Sequence, residues 1–139
     1  MNKSFLIAVV SIISISSILS GCQDTNSVKT QGRPTNVFLD STIVEFANVS
    51  YKENVNKSGK IESVTVGWLF HNIAGKLINV KIDVKFYDKN NLLLYNQTKY
   101  LRNMPAGYTE QSYQLSNKVT YESAGAAYVD HVVISATEV

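Results

Sequence analysis

Cysteine, histidine and tryptophan are all scarce in this chain of 139 residues. The single cysteine, Cys22, excludes an internal disulfide framework, so a folded domain must be stabilised by its core. The two histidines, His71 and His131, do not belong to a ligand cluster with close spacing, and a structural zinc site usually needs a full tetrahedral set of ligands. We therefore expect no metal and no cofactor.

An excess of either charge is also missing. Lys and Arg number 13 against 11 Asp and Glu, which gives a formal net charge of +2. The nearest thing to a basic stripe is Lys81 and Lys85, but Asp83 lies between them on the same face of a predicted strand. A nucleic-acid partner calls for a basic face or stripe, so we expect none.

Motifs for catalysis and phosphate binding are absent as well. The chain has no Gly-x-Ser-x-Gly elbow and no Gly-x-Gly-x-x-Gly loop. Its acidic residues are scattered, so no pair of catalytic carboxylates is indicated. We expect a protein that is not an enzyme and has no catalytic residues.

The N-terminal region carries the clearest targeting pattern. Lys3 precedes an uncharged apolar and serine-rich run from Phe5 to Leu19, which has the length of a signal-peptide core and is short for a membrane span. The run ends in Leu19-Ser20-Gly21-Cys22, which resembles the lipobox of prokaryotic lipoproteins. The resemblance implies lipidation of Cys22 and cleavage before it, so that residues 1–21 are the signal peptide.

An acylated Cys22 makes the membrane a partner through a lipid anchor. Two acyl chains give stable anchoring, whereas one gives only marginal binding. We expect attachment to the cell membrane or outer membrane, on the extracytoplasmic side. Residues 22–36 then form the lipid-anchored flexible linker, because Gln23 to Thr35 is polar and has the composition of a disordered tether.

The stretch from Ile78 to Asp88 predicts the central strand of the fold. Its apolar residues alternate with polar ones, and successive side chains on a strand point to opposite faces. One face is therefore expected to lie on a core and the other to face water. The buried set is Ile78, Val80, Ile82, Val84 and Phe86.

Further strands with turn residues between them predict one domain over residues 37–139. We expect a first strand broken at Asp40-Ser41, a hairpin of Ile61–Asn72 with the central strand, and loops at Lys52–Lys60 and Ser116–Gly125. The other predicted strands are Leu92–Leu101, Tyr108–Leu115 and Ala127–Ala136. With no long helical period, the pattern predicts an all-β, immunoglobulin-like antiparallel β-sandwich of six or seven strands.

The segment Val84-Lys85-Phe86-Tyr87-Asp88, followed by the turn Met104-Pro105-Ala106-Gly107, resembles the FxLYD-type domains. These are immunoglobulin-like extracellular domains of bacterial and archaeal lipoproteins. Only Tyr87-Asp88 of the Phe-x-Leu-Tyr-Asp motif is kept here. The resemblance implies the sandwich fold and no particular activity, since a fold alone does not give a function.

Tyr87 and Tyr95 are the candidate recognition residues, although tyrosines are also common cross-strand partners in sheets. The favoured hypothesis is a non-enzymatic, lipid-anchored cell-surface module for protein binding or envelope organisation. The alternative is an accessory lipoprotein that binds a small ligand or polysaccharide for a transporter, with an aromatic pocket near Tyr87 and Tyr95. A hydrolase is the third and least supported hypothesis.

Overall fold

The computed structural model describes residues 33–139, which form seven β-strands and two short 3-10 helices. The helices are Leu115–Asn117 and Ala124–Tyr128. The strands are β1 (Val37–Asp40), β2 (Val44–Val55), β3 (Ile61–Asn72), β4 (Ile78–Tyr87), β5 (Leu93–Met104), β6 (Lys118–Glu122) and β7 (His131–Glu138). The predicted Cys22 anchor, the signal peptide and most of the predicted linker lie outside the described residues.

The strands form two sheets that pack as a sandwich. One sheet has the strand order β1-β7-β4-β5 and the other has the order β2-β3-β6. All pairs are antiparallel except β1 with β7, which is parallel. The predicted all-β sandwich of six or seven strands is confirmed, with seven strands.

β4 is the central strand that its alternation predicts. Buried and half-buried residues alternate along its whole length. Its inner side chains, from Ile78 to Phe86, are at most 1% exposed and pack with those of β7 and β3 in one core. The strand lies between β5 and β7, so its backbone is paired on both sides.

The aromatic centre of the core comes from β3. Trp68 and Phe70 are fully buried with ring centroids 6.1 Å apart, and Phe46 of β2 stacks on Phe70 at 5.9 Å. Trp68 is therefore a core residue. Within residues 33–139 its indole Nε1 has no hydrogen-bond partner, so this N–H is buried among apolar groups.

The predicted break at Asp40-Ser41 is observed, but its two parts are not one strand, because the chain changes sheets there. β1 pairs with β7 in the four-stranded sheet, and β2 pairs with β3 in the other. Ser41 stabilises the turn between the two sheets, because its hydroxyl accepts hydrogen bonds from the backbone N–H groups of Ile43 and Val44 at 3.2 and 3.3 Å. β2 continues to Val55, so the first part of the predicted loop Lys52–Lys60 belongs to this strand. The rest of that loop, from Asn56 to Lys60, is a turn.

The predicted hairpin of β3 and β4 is also wrong. The two strands are consecutive but lie in different sheets, and β4 makes its hairpin with β5. The turn predicted at Gly75 is present, and Gly75 has a φ of +70°, which glycine adopts easily. Turn residues do not record whether the chain returns in the same sheet or crosses to the other, so the local pattern fits both arrangements.

The C-terminal third departs furthest from expectation. Tyr108–Leu115 is not a strand: only Thr109 makes an isolated bridge, to His71. β6 lies inside the predicted loop Ser116–Gly125, and β7 begins at His131 rather than at Ala127. Tyr128, which lies within the predicted strand Ala127–Ala136, is exposed in the second 3-10 helix.

Candidate functional site

The outer face of the four-stranded sheet is its solvent side. Alternation puts the residues between the core residues of β4 on this face, and the register places partners from the neighbouring strands beside them. Three positions form a polar row across the middle of the sheet. They are Thr98, Asp83 and Ser135.

One end of the outer face carries an aromatic cluster. Tyr87 of β4 and His131 of β7 are opposite one another, and their rings stack with centroids 5.3 Å apart at 15°. Phe38 of β1 meets the His131 ring edge to face at 6.1 Å and is 51% exposed. Three adjacent strands therefore place three rings side by side on a solvent-facing surface.

A pocket of about 410 Å³ opens beside this cluster. We call it the rim pocket; its lining residues are Thr35, Asn36, Phe38, Asp130 and His131. His131 Nδ1 lies 2.9 Å from Asp130 Oδ2, and the Asn36 amide lies 3.5 Å from the Asp130 carbonyl oxygen. The backbone N–H of Val132 donates to the Asn36 carbonyl at 2.9 Å, which joins the lead-in to β1 to β7.

The centre of the outer face is occupied by paired charges. The Thr98 hydroxyl donates to Asp83 at 2.5 Å, and Lys81 Nζ lies 3.0 Å from the same carboxylate. The Thr98 hydrogen bond, followed by Lys81, lowers the pKa of Asp83, and Asp83 in turn raises the pKa of Lys81. The lysines therefore lie on a mixed polar surface, as their position beside Asp83 indicates, and not on a basic stripe.

The structure separates the two predicted recognition tyrosines. Tyr87 is on the outer face, whereas Tyr95 is paired with Phe86 and turns toward the core. The Tyr95 ring stacks on Tyr121 with centroids 4.9 Å apart at 5°. Tyr95 therefore packs between the two sheets at their end and does not share a surface with Tyr87.

The two histidines are separated as well. His71 belongs to the three-stranded sheet, where its Nδ1 lies 2.6 Å from the Thr109 hydroxyl, and His131 belongs to the other sheet. Within residues 33–139 there is no group of three acidic, His or Cys side chains that could hold a metal ion. The same residues contain no helix long and apolar enough to cross a membrane.

A second groove of about 410 Å³ runs between the end of β5 and the segment that follows it, and Glu110 is among its lining residues. The Glu110 carboxylate accepts the backbone N–H of Phe70 at 2.8 Å. Burial raises the pKa of Glu110, while the hydrogen bonds from Phe70 and Asn117 act in the opposite direction. This carboxylate is already used in holding the fold.

The long edge strands are β2 and β5, with 12 residues each. Lys99 of β5 faces the inner side, opposite Ile82, and its Nζ lies 3.3 Å from the Leu115 carbonyl oxygen. Inward-pointing charges and bulges are features that discourage pairing at a sheet edge. β5 has the inward lysine, and the pairing of β2 with β3 has two register shifts.

Sequence reasoning missed the rim pocket. Phe38 lies between buried Val37 and half-buried Leu39, so strict alternation alone would have placed its ring outward. Asn36 and Asp130 lie just before β1 and β7, and only the parallel pairing of those two strands brings them together.

No family model matches this chain, and no curated protein matches it. Among solved structures, the chain is similar to the crystal structure of Campylobacter jejuni cj0090, with 14% sequence identity and a TM-score of 0.37. The match covers 75% of this chain and 100% of that one.

Proposed function

We propose that this chain is a lipid-anchored, non-enzymatic binding module, held on the extracytoplasmic side of a cell membrane or outer membrane. The lipobox-like Leu19-Ser20-Gly21-Cys22 supports the anchor, and the polar residues 22–36 support a tether. The resemblance to FxLYD-type lipoprotein domains supports the same location for residues 37–139. The module acts by presenting a surface within the reach that the flexible linker allows from the lipid.

The observation that carries the binding role is the aromatic cluster on the outer face. Phe38 is half exposed, although Val37 beside it is buried and Leu39 is half-buried. Aromatic side chains are enriched at recognition surfaces because they bury a large area with few rotatable bonds. The outer face is therefore the surface we assign to partner binding.

Existing contacts of the titratable side chains support a role without catalysis. Glu110 accepts a backbone N–H, His71 contacts Thr109, and His131 is held between Tyr87 and Asp130. Each of these contacts joins separate parts of the fold, so the side chains have a structural role.

The second candidate is an accessory lipoprotein that binds a small ligand or polysaccharide for a transporter. The rim pocket favours it, because such a role needs a concave site with aromatic walls. Tyr87 borders this pocket through its stack on His131. Tyr95 has no part in it.

Metabolic labelling with a fatty acid tests the anchor. We expect label on the wild-type chain and on Ser27→Ala, and none on Cys22→Ala, because Cys22 supplies the acylated sulfur. Label that persists in Cys22→Ala would overturn the anchor.

A photo-crosslinking residue tests the binding surface in living cells. Placed at Val133, which is paired with Phe38 across β1 and β7, it should give crosslinks to an envelope component. The matched control is Glu45, an exposed position in the three-stranded sheet. Equal crosslinking from both positions would contradict the assignment of the outer face.

A further inference from the structure

The rim pocket combines one apolar ring with several neutral or acidic hydrogen-bonding groups. Phe38 offers a half-exposed ring, Asp130 offers a carboxylate, and Asn36 and Thr35 offer an amide and a hydroxyl. A sugar ring has the matching groups: a C–H face that packs on an aromatic ring, and hydroxyls that donate and accept at its edge. We propose that the rim pocket is a glycan-binding site for a neutral or N-acetylated polysaccharide chain.

The site has walls that are already in position. Stacking on Tyr87 and the contact with Asp130 hold the His131 ring from two sides. With its proton on Nδ1, the imidazole donates to Asp130 and leaves Nε2 as an acceptor. Side chains that are fixed before binding lower the entropy cost of ordering them. Tyr87 is therefore a positioning residue for the pocket.

Asp130 stays available to a ligand although it contacts His131. That contact uses Oδ2, and the Asp130 side chain is 55% exposed. A carboxylate accepts through both oxygens, so Oδ1 can take a sugar hydroxyl while Oδ2 holds the imidazole. Asp130 thus links the wall of the pocket to its bound ligand.

The dimensions fit a chain rather than a single sugar. Phe38, His131 and Tyr87 stand on three adjacent strands, which span about 10 Å across the sheet. The pocket is open to solvent, so a polysaccharide can continue past the bound unit. This suits a module that is tethered to a membrane and faces an envelope polymer, and to that extent it rests on the proposed function.

Charge and hydrogen-bonding capacity favour a glycan over other ligands. The pocket has one carboxylate and no Lys or Arg in its lining, which disfavours an anionic polymer. An ammonium group could approach Phe38 and Asp130, but it only donates hydrogen bonds. The Thr35 hydroxyl donates too, and a ligand with hydroxyls can accept from it.

Calorimetric titration of the full-length, detergent-solubilised protein tests this site. The probes are chitohexaose, cellohexaose and, for the cation alternative, hexalysine. We expect at least one hexasaccharide to bind. Phe38→Ala and Asp130→Ala should each weaken that binding by about tenfold or more, as for residues at the centre of a contact. Tyr108→Ala, at an exposed tyrosine in the segment after β5 and not on the outer face, is the control and should bind normally.

Two results would overturn the glycan site. One is a Kd above about 1 mM for both hexasaccharides. The other is binding of hexalysine alone, with this binding abolished by Asp130→Asn. Melting curves of the variants separate loss of binding from loss of fold, and both substituted side chains are exposed enough to be replaced safely. If the chain is lipid-labelled and crosslinks from Val133 but binds no hexasaccharide, the proposed function is supported and only the glycan site is contradicted.

Discussion

The carboxylate of Glu110 accepts the backbone N–H of Phe70 at 2.8 Å, while the Glu110 backbone N–H donates to the Phe70 carbonyl at 2.9 Å. Glu110 alone thus supplies the acceptor and the donor that a paired strand would offer to the Phe70 backbone. The pairing holds the irregular segment after Gly107 against the end of β3. It also closes the sandwich beside the groove at the end of β5.

Replacing Glu110 should destabilise the domain. Glu110→Ala leaves the Phe70 N–H without this acceptor, and we expect a loss of about 1–3 kcal/mol in the free energy of unfolding. Chemical denaturation at neutral pH measures it. Glu122→Gln, an exposed acid on β6, is the control and should change little. A Glu110→Ala variant as stable as this control would mean that the hydrogen bond contributes nothing.

The pH dependence of stability should also change at Glu110. Burial raises its pKa in the folded chain, so between the ordinary and the raised value the folded state keeps a proton that the unfolded state has released. The free energy of unfolding therefore falls as pH rises through this interval. Glu110→Gln has no such proton, so the wild type should lose stability relative to it as the pH rises from the ordinary glutamate pKa of 4.5 to the raised value. A constant difference between the two would contradict the raised pKa.

Asn72 is a second residue whose side-chain hydrogen bonds hold the end of the sandwich together. Its buried Nδ2 lies 2.8–3.0 Å from the carbonyl oxygens of Lys76, Met104 and Pro105, and its Oδ1 accepts the Ala74 N–H at 2.8 Å. We expect Asn72→Ala to cost at least about 3 kcal/mol, because several polar groups lose their partner.

Asn72→Asp gives a sharper version of the same test. A carboxylate still accepts the Ala74 N–H but cannot donate to the three carbonyls, so it should be no better than alanine. Denaturation of both variants beside Asn96→Ala, at an exposed position on β5, measures the difference. If Asn72→Asp matched the wild type, the donor contacts would be unimportant.

Val84 tests the buried face of β4. Its side chain is fully buried, so Val84→Asp places an unpaired charge in the core and should cost at least about 4 kcal/mol. Thr137→Asp puts the same charge on the outer face opposite Lys81, where we expect a change within about 0.5 kcal/mol. Thermal melting compares the two. Similar melting temperatures for both variants would mean that the faces are misassigned.

Gly67 leaves room for the ring of Tyr113 on the three-stranded sheet. A Cβ at this position would lie 2.9 Å from the Ser50 hydroxyl oxygen and 3.2 Å from the Tyr113 ring. We expect Gly67→Ala to cost about 1 kcal/mol. Adding Ser50→Ala should recover part of that loss, because the nearer obstacle is removed. Denaturation of both single variants and the double variant measures the coupling, and strict additivity would rule out this contact.

Much of the architecture was accessible from residue patterns. The alternation from Ile78 to Phe86 predicted the buried strand, and Ile61–Asn72 was predicted with its observed bounds. Asp88 accepts the N–H groups of Asn90 and Leu92, as expected of an aspartate that caps a turn. The pairing of β3 was misassigned, because a turn with Gly75 has the same sequence whether or not the chain crosses between sheets.

The candidate site was less accessible. Tyr87 was selected correctly as an outward residue, but Tyr95 was not, since its pairing with Phe86 puts it on the inner face. Phe38 and Asp130 belong to opposite ends of the domain sequence, and neither has a local pattern that indicates the other. Their meeting follows from the parallel pairing of β1 with β7.

Side-chain alternation is a local property of an extended chain, so the order of residues was sufficient to settle that β4 has a buried face and an outer face, and that the domain is built from strands. Partner choice depends on contacts between distant residues. Asn72 must reach Met104, and β1 must reach β7, before the crossings between sheets are decided. For that reason only the folded molecule could bring Phe38, His131 and Asp130 into one pocket.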